Sequence, residues 1–274
     1  MENGKVMQLN VEQIIKEKAP GAKFPKFVVN YLKRIIHQEE LNTFFESVPG
    51  QKNLEFIESA LTDHLQAGAD FEGIEHLPPK EGRYIFVSNH PLGGLDGVTL
   101  GLMFGRKYDG KVKIFANDIL MFLEPLKEMF LPVNKVGAGS NSRDNARIVD
   151  DFFKSDYHLI TFPAGTCSRR IGGKIQDLPW KKSFVTKAVQ YRRDVVPVYF
   201  EGRNSNFFYN LSKIRTLLGL PNIEMLYLVN EMYKQRGNRF KVIIGQPIPY
   251  QTFDNTKTPV EWAAEVREKV YALK

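Results

Sequence analysis

After about residue 70, short β-rich runs alternate with amphipathic helical segments, and this alternation constrains the fold more than any other feature of the sequence. The β-rich runs lie at 84–88, 111–116, 131–133, 158–162, 195–200 and 239–245. The helical segments lie near 98–104, 143–155, 182–191, 222–235 and 260–273. Such alternation predicts an α/β fold with right-handed crossovers between strands. In sheets of this kind ligands bind beyond the carboxyl ends of the strands, so we expect a functional site in the loops after Ser88 and Phe162.

The first 70 residues differ from the rest because they are predicted to be mainly helical. Apolar residues recur at helical spacing in three segments, at 11–18, 26–39 and 54–67. We therefore predict an N-terminal helical segment over 1–70 and an α/β domain over 71–274. The expected architecture of the second part is a mixed sheet flanked by helices.

The charge and the apolar pattern of the chain restrict its surroundings. The formal net charge is +7, and a basic balance favours polyanions such as nucleic acid, an anionic bilayer or an acidic carrier protein. No apolar stretch approaches the ~20 residues that a spanning helix needs, and the amino terminus lacks the apolar core of a secretory signal. The single cysteine, Cys167, fits a reducing compartment. We expect a soluble or peripheral protein.

The first candidate site is the segment Ser-Asn-His-Pro-Leu-Gly-Gly-Leu-Asp-Gly, which follows directly from a β-rich run. Its histidine, His90, can accept a proton at neutral pH because the ordinary pKa of histidine lies near ~6.5. If Asp96 accepts the other ring N–H, it fixes the tautomer and stabilises the imidazolium. A bend at Gly93 and Gly94 allows the two side chains to meet. The alternative interpretation is a glycine turn in which Asp96 only caps a helix.

The second candidate site is the segment Phe-Pro-Ala-Gly-Thr-Cys-Ser-Arg-Arg, which ends another apolar run. Gly165 lets the backbone approach a ligand closely. The hydroxyls of Thr166 and Ser168 can donate hydrogen bonds to an anion or a developing oxyanion. Arg169 and Arg170 can bind phosphate or carboxylate in bidentate fashion. The alternative is a polar loop with solvated arginines.

Together, the two segments resemble the glycerolipid acyltransferase superfamily, whose best-known members acylate glycerol-3-phosphate or lysophosphatidic acid. That family carries an Asn-His pair followed by an aspartate, matched here by Asn89, His90 and Asp96. It also carries a Phe-Pro-Glu-Gly-Thr segment, matched at 162–166, and a later Val-Pro-Val segment, matched at 196–198. The resemblance therefore covers roughly residues 75–250 rather than one short motif.

The sequence departs from the family pattern near both motifs. The spacing from His90 to Asp96 is one residue longer than usual, Ala164 stands where the family has glutamate, and Cys167 stands where arginine is common. These forms are more similar to a bacterial branch first labelled as hemolysins, which includes acyltransferases of ornithine and glycine lipids. Because the resemblance assigns the altered positions to acceptor binding, the departures count against a phosphoglycerol acceptor.

The resemblance implies an O-acyltransferase that moves a fatty acyl group from a thioester to a hydroxyl of a lysophospholipid or a lyso-amino-acid lipid. His90 is then the general base, and Asp96 orients it. The substrate-binding residues implied are Asn89, Gly93, Gly94, Pro163, Gly165, Thr166, Ser168, Arg169 and Arg170. The co-substrate is acyl carrier protein or coenzyme A thioester, with no metal, no other cofactor and no nucleic acid. We expect a peripheral protein on the cytoplasmic face of the inner membrane.

Several alternatives remain open at this point. Cys167 is either a nucleophile or a buried small hydrophobe. The glycine-rich stretch 136–143 either binds an anionic headgroup at a helix amino terminus or forms a plain loop. Segments 26–36 and 207–218 have apolar faces with basic flanks, so they either lie on the bilayer or pack on the core. The alternative functions are a non-catalytic lipid- or carrier-binding module and an N-acyltransferase of an amino-acid headgroup.

Overall fold

The computed structural model of the protein describes residues 7–18, 20–21, 23–116, 120, 123–132 and 142–274. The strands in this part of the chain are β1 (Gly68–Glu72), β2 (Tyr84–Ser88), β3 (Val112–Ala116), β4 (Phe130–Pro132), β5 (His158–Thr161), β6 (Arg169–Ile171), β7 (Lys174–Gln176), β8 (Asp194–Phe200) and β9 (Arg239–Ile244). The α-helices are α1 (Val11–Lys18), α2 (Lys26–Ile35), α3 (Gln38–Ser47), α4 (Asn53–Ser59), α5 (Leu95–Lys107), α6 (Ser142–Lys154), α7 (Ser183–Tyr191), α8 (Asn206–Leu217), α9 (Leu228–Tyr233) and α10 (Pro259–Ala272).

The main sheet is mixed, as the sequence predicts. Its strand order is β1-β9-β8-β2-β5-β3-β4, and β6 and β7 form a separate antiparallel hairpin. Within the main sheet, neighbouring strands run parallel except for β8 and β9. The six predicted strands are confirmed, with bounds that differ by one residue or less. The edge strand β1 was not predicted, because its sequence Gly-Ala-Asp-Phe-Glu carries little β propensity and gains its order from pairing with β9.

The sheet lies between two layers of helices. Along β2, Phe86 belongs to a core cluster that includes side chains of α3, α4 and α5. The neighbours Ile85 and Val87 belong to a second cluster with side chains of α6, α7 and α10. A central strand that is buried on both faces reads as an apolar run, which is why the sequence reveals it. These layers hold the carboxyl ends of the central strands in place.

Among the N-terminal helices, α1 has the predicted bounds, whereas the second predicted helix does not. The helix predicted over 26–39 is wrong beyond Ile35, because His37 adopts a left-handed backbone with φ of 52° and α3 begins at the next residue. Side chains of α3 and α4 belong to the same core cluster as Phe86, on one face of the sheet. Leu54 of α4 lies so close to α5 that a Cβ on Gly105 would be 2.3 Å from Leu54 Cδ2. The domain boundary predicted at residue 70 falls inside β1.

The remaining predicted segments have different outcomes. The single helix predicted over 222–235 is wrong in part, because the chain forms a 3-10 turn over Ile223–Tyr227 before α9 begins. Residues 136–141 of the glycine-rich stretch lie outside the described residues. Within the described ranges, every helix is too short or too polar to cross a bilayer.

Candidate active site

The two candidate motifs lie side by side because β2 and β5 are parallel neighbours. Their register pairs Ile85 with Leu159 and Val87 with Thr161. The carboxyl ends of both strands therefore meet at one edge of the sheet, at the position where open α/β sheets bind their ligands. This register brings the loop after β2, which carries His90, against the loop after β5.

A tight bend folds the loop after β2 back on itself. Gly93 has a φ of 90°, a conformation that side chains rarely adopt, and a Cβ there would be 2.6 Å from Cys167 Sγ. Gly94 is the N-cap of α5, and a Cβ at Gly94 would meet no atom within 4 Å. The bend brings the His90 ring to Asp96, with Nδ1 3.0 Å from Asp96 Oδ2. The two side chains therefore meet as the glycine bend predicts.

Asp96 is a fully buried carboxylate in the first turn of α5. Besides the His90 ring, Oδ2 accepts hydrogen bonds from the N–H groups of Leu92 at 3.0 Å and Gly93 at 3.3 Å, and Oδ1 accepts from Gly97 N–H at 2.9 Å. Burial alone would raise the pKa of Asp96, but the charge and ring N–H of His90 and two backbone N–H groups outweigh it, so this pKa is lowered. The positive end of the helix dipole favours the same charged form. Asp96 is therefore ionised at neutral pH.

His90 presents its second ring nitrogen away from this carboxylate. Nε2 forms no hydrogen bond with a described residue, and 14% of the side-chain surface is exposed. The ring stacks on Phe162 at a centroid distance of 4.1 Å. Burial acts to lower the pKa of His90, but the Asp96 carboxylate outweighs it and raises this pKa above 6.5. The imidazolium form is therefore stabilised, as a general base requires once it has taken a proton.

Asn89 does not lie in the site as a substrate ligand. Its Nδ2 donates to Phe200 O at 2.8 Å, and its Oδ1 accepts from Phe200 N–H at 2.7 Å. The side chain is buried, and both of its polar atoms are used. We therefore correct the predicted substrate contact: Asn89 joins the ends of β2 and β8 and so supports the strand tip that carries His90.

The second motif forms a turn beside the His90 ring. Gly165 has a φ of 71°, and its N–H donates to Phe162 O at 2.9 Å. The Gly165 N–H is thus engaged within the turn. Pro163 is buried, and its carbonyl accepts from Lys181 N–H at 3.0 Å. The Thr166 hydroxyl oxygen is shielded from solvent and has no hydrogen-bond partner among the described residues. Thr166 is therefore the hydroxyl of this turn that remains available to a bound group.

Two arginines of the second motif have protein partners. Arg169 is buried and donates from Nη2 to Glu224 Oε1 at 2.9 Å, and Arg215 donates to the same oxygen at 2.9 Å. Arg170 is exposed and donates to the side chains of Asn206 and Asn210 on α8. Arg169 is thus bonded within the fold to a carboxylate that it shares with Arg215, and its substrate role stays a prediction. Arg170 is exposed while bonded to α8.

Ser168 and a carboxylate that the sequence did not indicate complete the site. Ser168 N–H donates to His90 O at 2.7 Å, and its hydroxyl donates to Asp177 Oδ1 at 2.6 Å. Asp177 Oδ1 also accepts from His90 N–H at 3.2 Å. Ser168 thus links His90 and Asp177 through its N–H and O–H donors, and its substrate contact stays a prediction. No motif or periodicity marked Asp177, since His90 lies 87 positions away along the chain.

Cys167 does not have the surroundings of a nucleophile. The thiol is buried, and burial raises its pKa to about 12. A thiol with this pKa is protonated at neutral pH, and a protonated thiol is a poor nucleophile. Its Sγ instead packs against the Gly93 bend. The structure therefore favours the interpretation of Cys167 as a small buried hydrophobe.

The chain is similar to known proteins over nearly its whole length. The model of a family described as Acyltransferase matches residues 13–274. The lyso-glycine lipid O-acyltransferase of Phocaeicola vulgatus is 50% identical over 277 residues, which cover 100% of this chain and 98% of that protein. The protein of the same name from Bacteroides thetaiotaomicron is 49% identical over 276 residues, covering 100% of both chains.

Among solved structures, the fold is similar to the crystal structure of the 1-acyl-sn-glycerophosphate (LPA) acyltransferase PlsC from Thermotoga maritima. The TM-score is 0.49 and the sequence identity 19%, over 90% of this chain and 88% of that one. With a family model that matches nearly the whole chain and two relatives at about half identity, the chain belongs to the acyltransferase family, and it is an acyltransferase.

Proposed function

We propose that the protein transfers a fatty acyl group from a thioester donor to the hydroxyl of a lysolipid, with His90 as general base. His90 Nε2 takes the proton of the hydroxyl as its oxygen attacks the thioester carbonyl carbon. Asp96 holds the opposite ring N–H and stabilises the imidazolium. The C–S bond then breaks, and the leaving thiolate takes the proton from the imidazolium. Proton and electron pairs balance without a metal or a covalent acyl-enzyme.

The observation that carries this proposal is the His90–Asp96 pair at the tip of a buried strand, with an Nε2 that no described residue bonds. The test is turnover with acyl carrier protein or coenzyme A thioesters and a lysolipid. We expect His90→Ala to lower kcat by ~10²–10⁴, the usual contribution of a general base. His76→Ala is the matched control, because this ring bonds to Ile244 O outside the site. Full activity of a folded His90→Ala variant would end the proposal.

For the acceptor, we propose a lysolipid with a glycine headgroup, as the names of the two relatives indicate for those proteins. Glycine attached through its nitrogen leaves a free carboxylate. The ammonium of Lys181, an exposed residue, lies beside the second motif, where a Cβ on Gly165 would be 3.0 Å from Lys181 Nζ. The Thr166 hydroxyl of the same turn lacks a partner among the described residues. The Lys181 ammonium and the Thr166 hydroxyl can both donate hydrogen bonds to the carboxylate of a glycine headgroup.

Acceptor competition tests this assignment. Equal amounts of lyso-glycine lipid, lyso-ornithine lipid and lysophosphatidic acid are offered together with the corresponding amine acceptors. We expect preferential esterification of the glycine lipid, and amide formation would support N-acylation instead. Lys181→Met should raise KM for the glycine lipid about tenfold, the value of one charge-assisted hydrogen bond. Lys182→Met removes the same charge one residue further on and should leave this KM nearly unchanged.

We also propose that the protein works at a membrane surface. The two segments with interfacial character lie side by side, since Tyr31 of α2 is hydrogen-bonded through its hydroxyl to Tyr227 at 2.7 Å, and Phe207 of α8 packs edge-on against Tyr227. Both segments also carry exposed apolar side chains, with Leu217 84% and Phe27 73% exposed. The exposed members, which we call the apolar rim, are Phe24, Phe27, Tyr31, Phe207, Ile214, Leu217, Leu218, Leu220 and Leu226. So large an apolar surface with basic neighbours supports contact with a bilayer.

Vesicle flotation tests the membrane proposal. We expect the protein to float with vesicles of phosphatidylcholine and phosphatidylglycerol, more strongly than with phosphatidylcholine alone. Leu217→Glu combined with Leu218→Glu should abolish most flotation, because each buried leucine contributes about 1.5–3 kcal/mol. Ile74→Glu is the control, since Ile74 is also half exposed but lies outside the apolar rim. Equal flotation of all variants would contradict the proposal.

For the acyl donor, we propose acyl carrier protein. The formal net charge of +7 supports an acidic protein donor, because complementary charge speeds association. Parallel assays with acyl carrier protein and coenzyme A thioesters of one chain length test this choice. A kcat/KM for the carrier thioester that falls as salt rises is expected, and a higher kcat/KM for coenzyme A would contradict it.

A further inference from the structure

Asp177 is a fully buried carboxylate directly after the β6–β7 hairpin. Oδ1 accepts from His90 N–H at 3.2 Å and from the Ser168 hydroxyl at 2.6 Å. Oδ2 accepts from Trp180 Nε1–H at 2.9 Å. Two of these donors, the backbone N–H and the indole N–H, cannot accept a hydrogen bond. Burial raises the pKa of Asp177, and these three donors act in the opposite direction because they favour the ionised carboxylate.

The backbone of Asp177 is fixed from a different part of the chain. Its N–H donates to the Tyr271 hydroxyl at 2.8 Å, and its carbonyl accepts from Arg267 Nη2 at 2.9 Å. Both partners belong to α10, which packs on the sheet through buried residues such as Val266 and Val270. The backbone that carries this carboxylate is thus bonded to α10 rather than to the His90 loop.

The His90 backbone is consequently held at both ends by the segment that follows β5. Its N–H bonds to Asp177, and its carbonyl accepts from Ser168 N–H at 2.7 Å. Asp96 contacts His90 itself only at the ring, through Nδ1. The position of the ring relative to the end of β2 depends on the His90 backbone and not on the contact at Nδ1. A shift of about 1 Å in a catalytic group can reduce turnover by ~10².

We infer that Asp177 is a positioning residue of the acyl transfer, which fixes the His90 backbone against the second motif and so sets where Nε2 meets the substrate. This inference rests on the proposed role of His90. It assigns two carboxylates to one imidazole: Asp96 orients the ring, and Asp177 holds the residue that carries it.

The pH dependence of kcat/KM distinguishes this positioning role from a purely structural one. The charged groups that face the His90 ring are Asp96 from α5, Asp177 after β7 and Arg169 on β6. Arg267 and Tyr271 face Asp177 from α10. The charge of Asp177 acts to raise the pKa of His90, whereas that of Arg169 acts to lower it. Removing the Asp177 charge should therefore move the acid limb of the kcat/KM profile to lower pH.

The test is Asp177→Asn in the full-length protein, with kcat, KM and the pH profile of kcat/KM measured for a lysolipid acceptor. We expect kcat to fall on the order of tenfold to a hundredfold with little change in the acceptor KM, together with the shift of the acid limb to lower pH. Glu231→Gln is the matched control. Glu231 is equally buried and accepts from Ser205 N–H, the Ser205 hydroxyl and Lys234, but none of these groups touches His90. It should lower thermal stability without moving the acid limb.

Two further variants separate the possible failures. Ser168→Ala removes one hydrogen-bond donor from Asp177 Oδ1. It tests the positioning role of Asp177 if Asp177→Asn does not fold. We expect a lower kcat at an unchanged KM. A kcat within twofold of the parent in folded Asp177→Asn, with an unmoved acid limb, overturns the inference, as does an unchanged kcat in Ser168→Ala. His90→Ala is measured in parallel. If it retains activity the proposed base is wrong, whereas an inactive His90→Ala beside an unaffected Asp177→Asn refutes the role of Asp177 alone.

Discussion

The substitution Asp96→Asn tests the catalytic pair most directly, because it preserves shape and removes only charge and one acceptor. The carboxylate accepts four N–H groups, three on Oδ2 and one on Oδ1. An asparagine amide offers one oxygen and one NH2 group. If the NH2 faces His90, Nδ1 has to accept and the proton moves to Nε2, which can then no longer act as a base. If the oxygen faces His90, the NH2 opposes Gly97 N–H and the imidazolium loses its counter-charge.

Both orientations remove stabilisation that exists only once the ring is protonated. We expect kcat to fall by ~10²–10⁴ with a nearly unchanged KM. At about 1.36 kcal/mol for each factor of ten, this is about 2.7–5.4 kcal/mol of lost transition-state stabilisation. The opposed donors should also lower the free energy of unfolding by about 1–3 kcal/mol.

The assay follows thiol release from the acyl donor at saturating lysolipid, and circular dichroism melting checks the fold. Glu231→Gln again serves as the control for loss of a buried carboxylate. If folded Asp96→Asn keeps kcat within tenfold of the parent, the reasoning that the carboxylate orients and stabilises the base is refuted.

Three further predictions concern the same site. Because the pKa of His90 is raised, the acid limb of kcat/KM should lie above pH 6.5, activity being lost as the pH falls through that pKa; a limb below pH 6.5 in a pH–rate profile would contradict the assigned environment. Cys167→Ala should keep kcat within about fivefold of the parent in the same assay and lower stability by roughly 1–2 kcal/mol for a small cavity, whereas an inactive folded variant would revive the nucleophile hypothesis. Gly93→Ala should lose about 1–3 kcal/mol of stability from its positive φ alone, while Gly94→Ala should melt close to the parent, as thermal unfolding of the two variants will show.

Local sequence patterns were enough for the α/β architecture, and together with the family resemblance they predicted the contact between His90 and Asp96. The central strands appear as apolar runs because both of their faces are buried, and the glycine bend lies within the few residues that separate His90 from Asp96. The edge strand β1 was missed because its residues alone carry little β propensity. Likewise, the break at His37 depends on a left-handed backbone that apolar spacing does not indicate.

What the sequence by itself determined is therefore the α/β order, the strand-tip position of His90 and the nature of its partner. Only the tertiary structure decided which polar side chains form hydrogen bonds within the fold. Asn89 and Ser168 resemble ligand-binding residues in sequence, yet their polar atoms bond to Phe200, His90 and Asp177. The physical reason is distance along the chain: periodicity reports neighbours within a turn or a strand. The contact from His90 to Asp177 spans 87 positions and depends on how β2, β5 and α10 pack together.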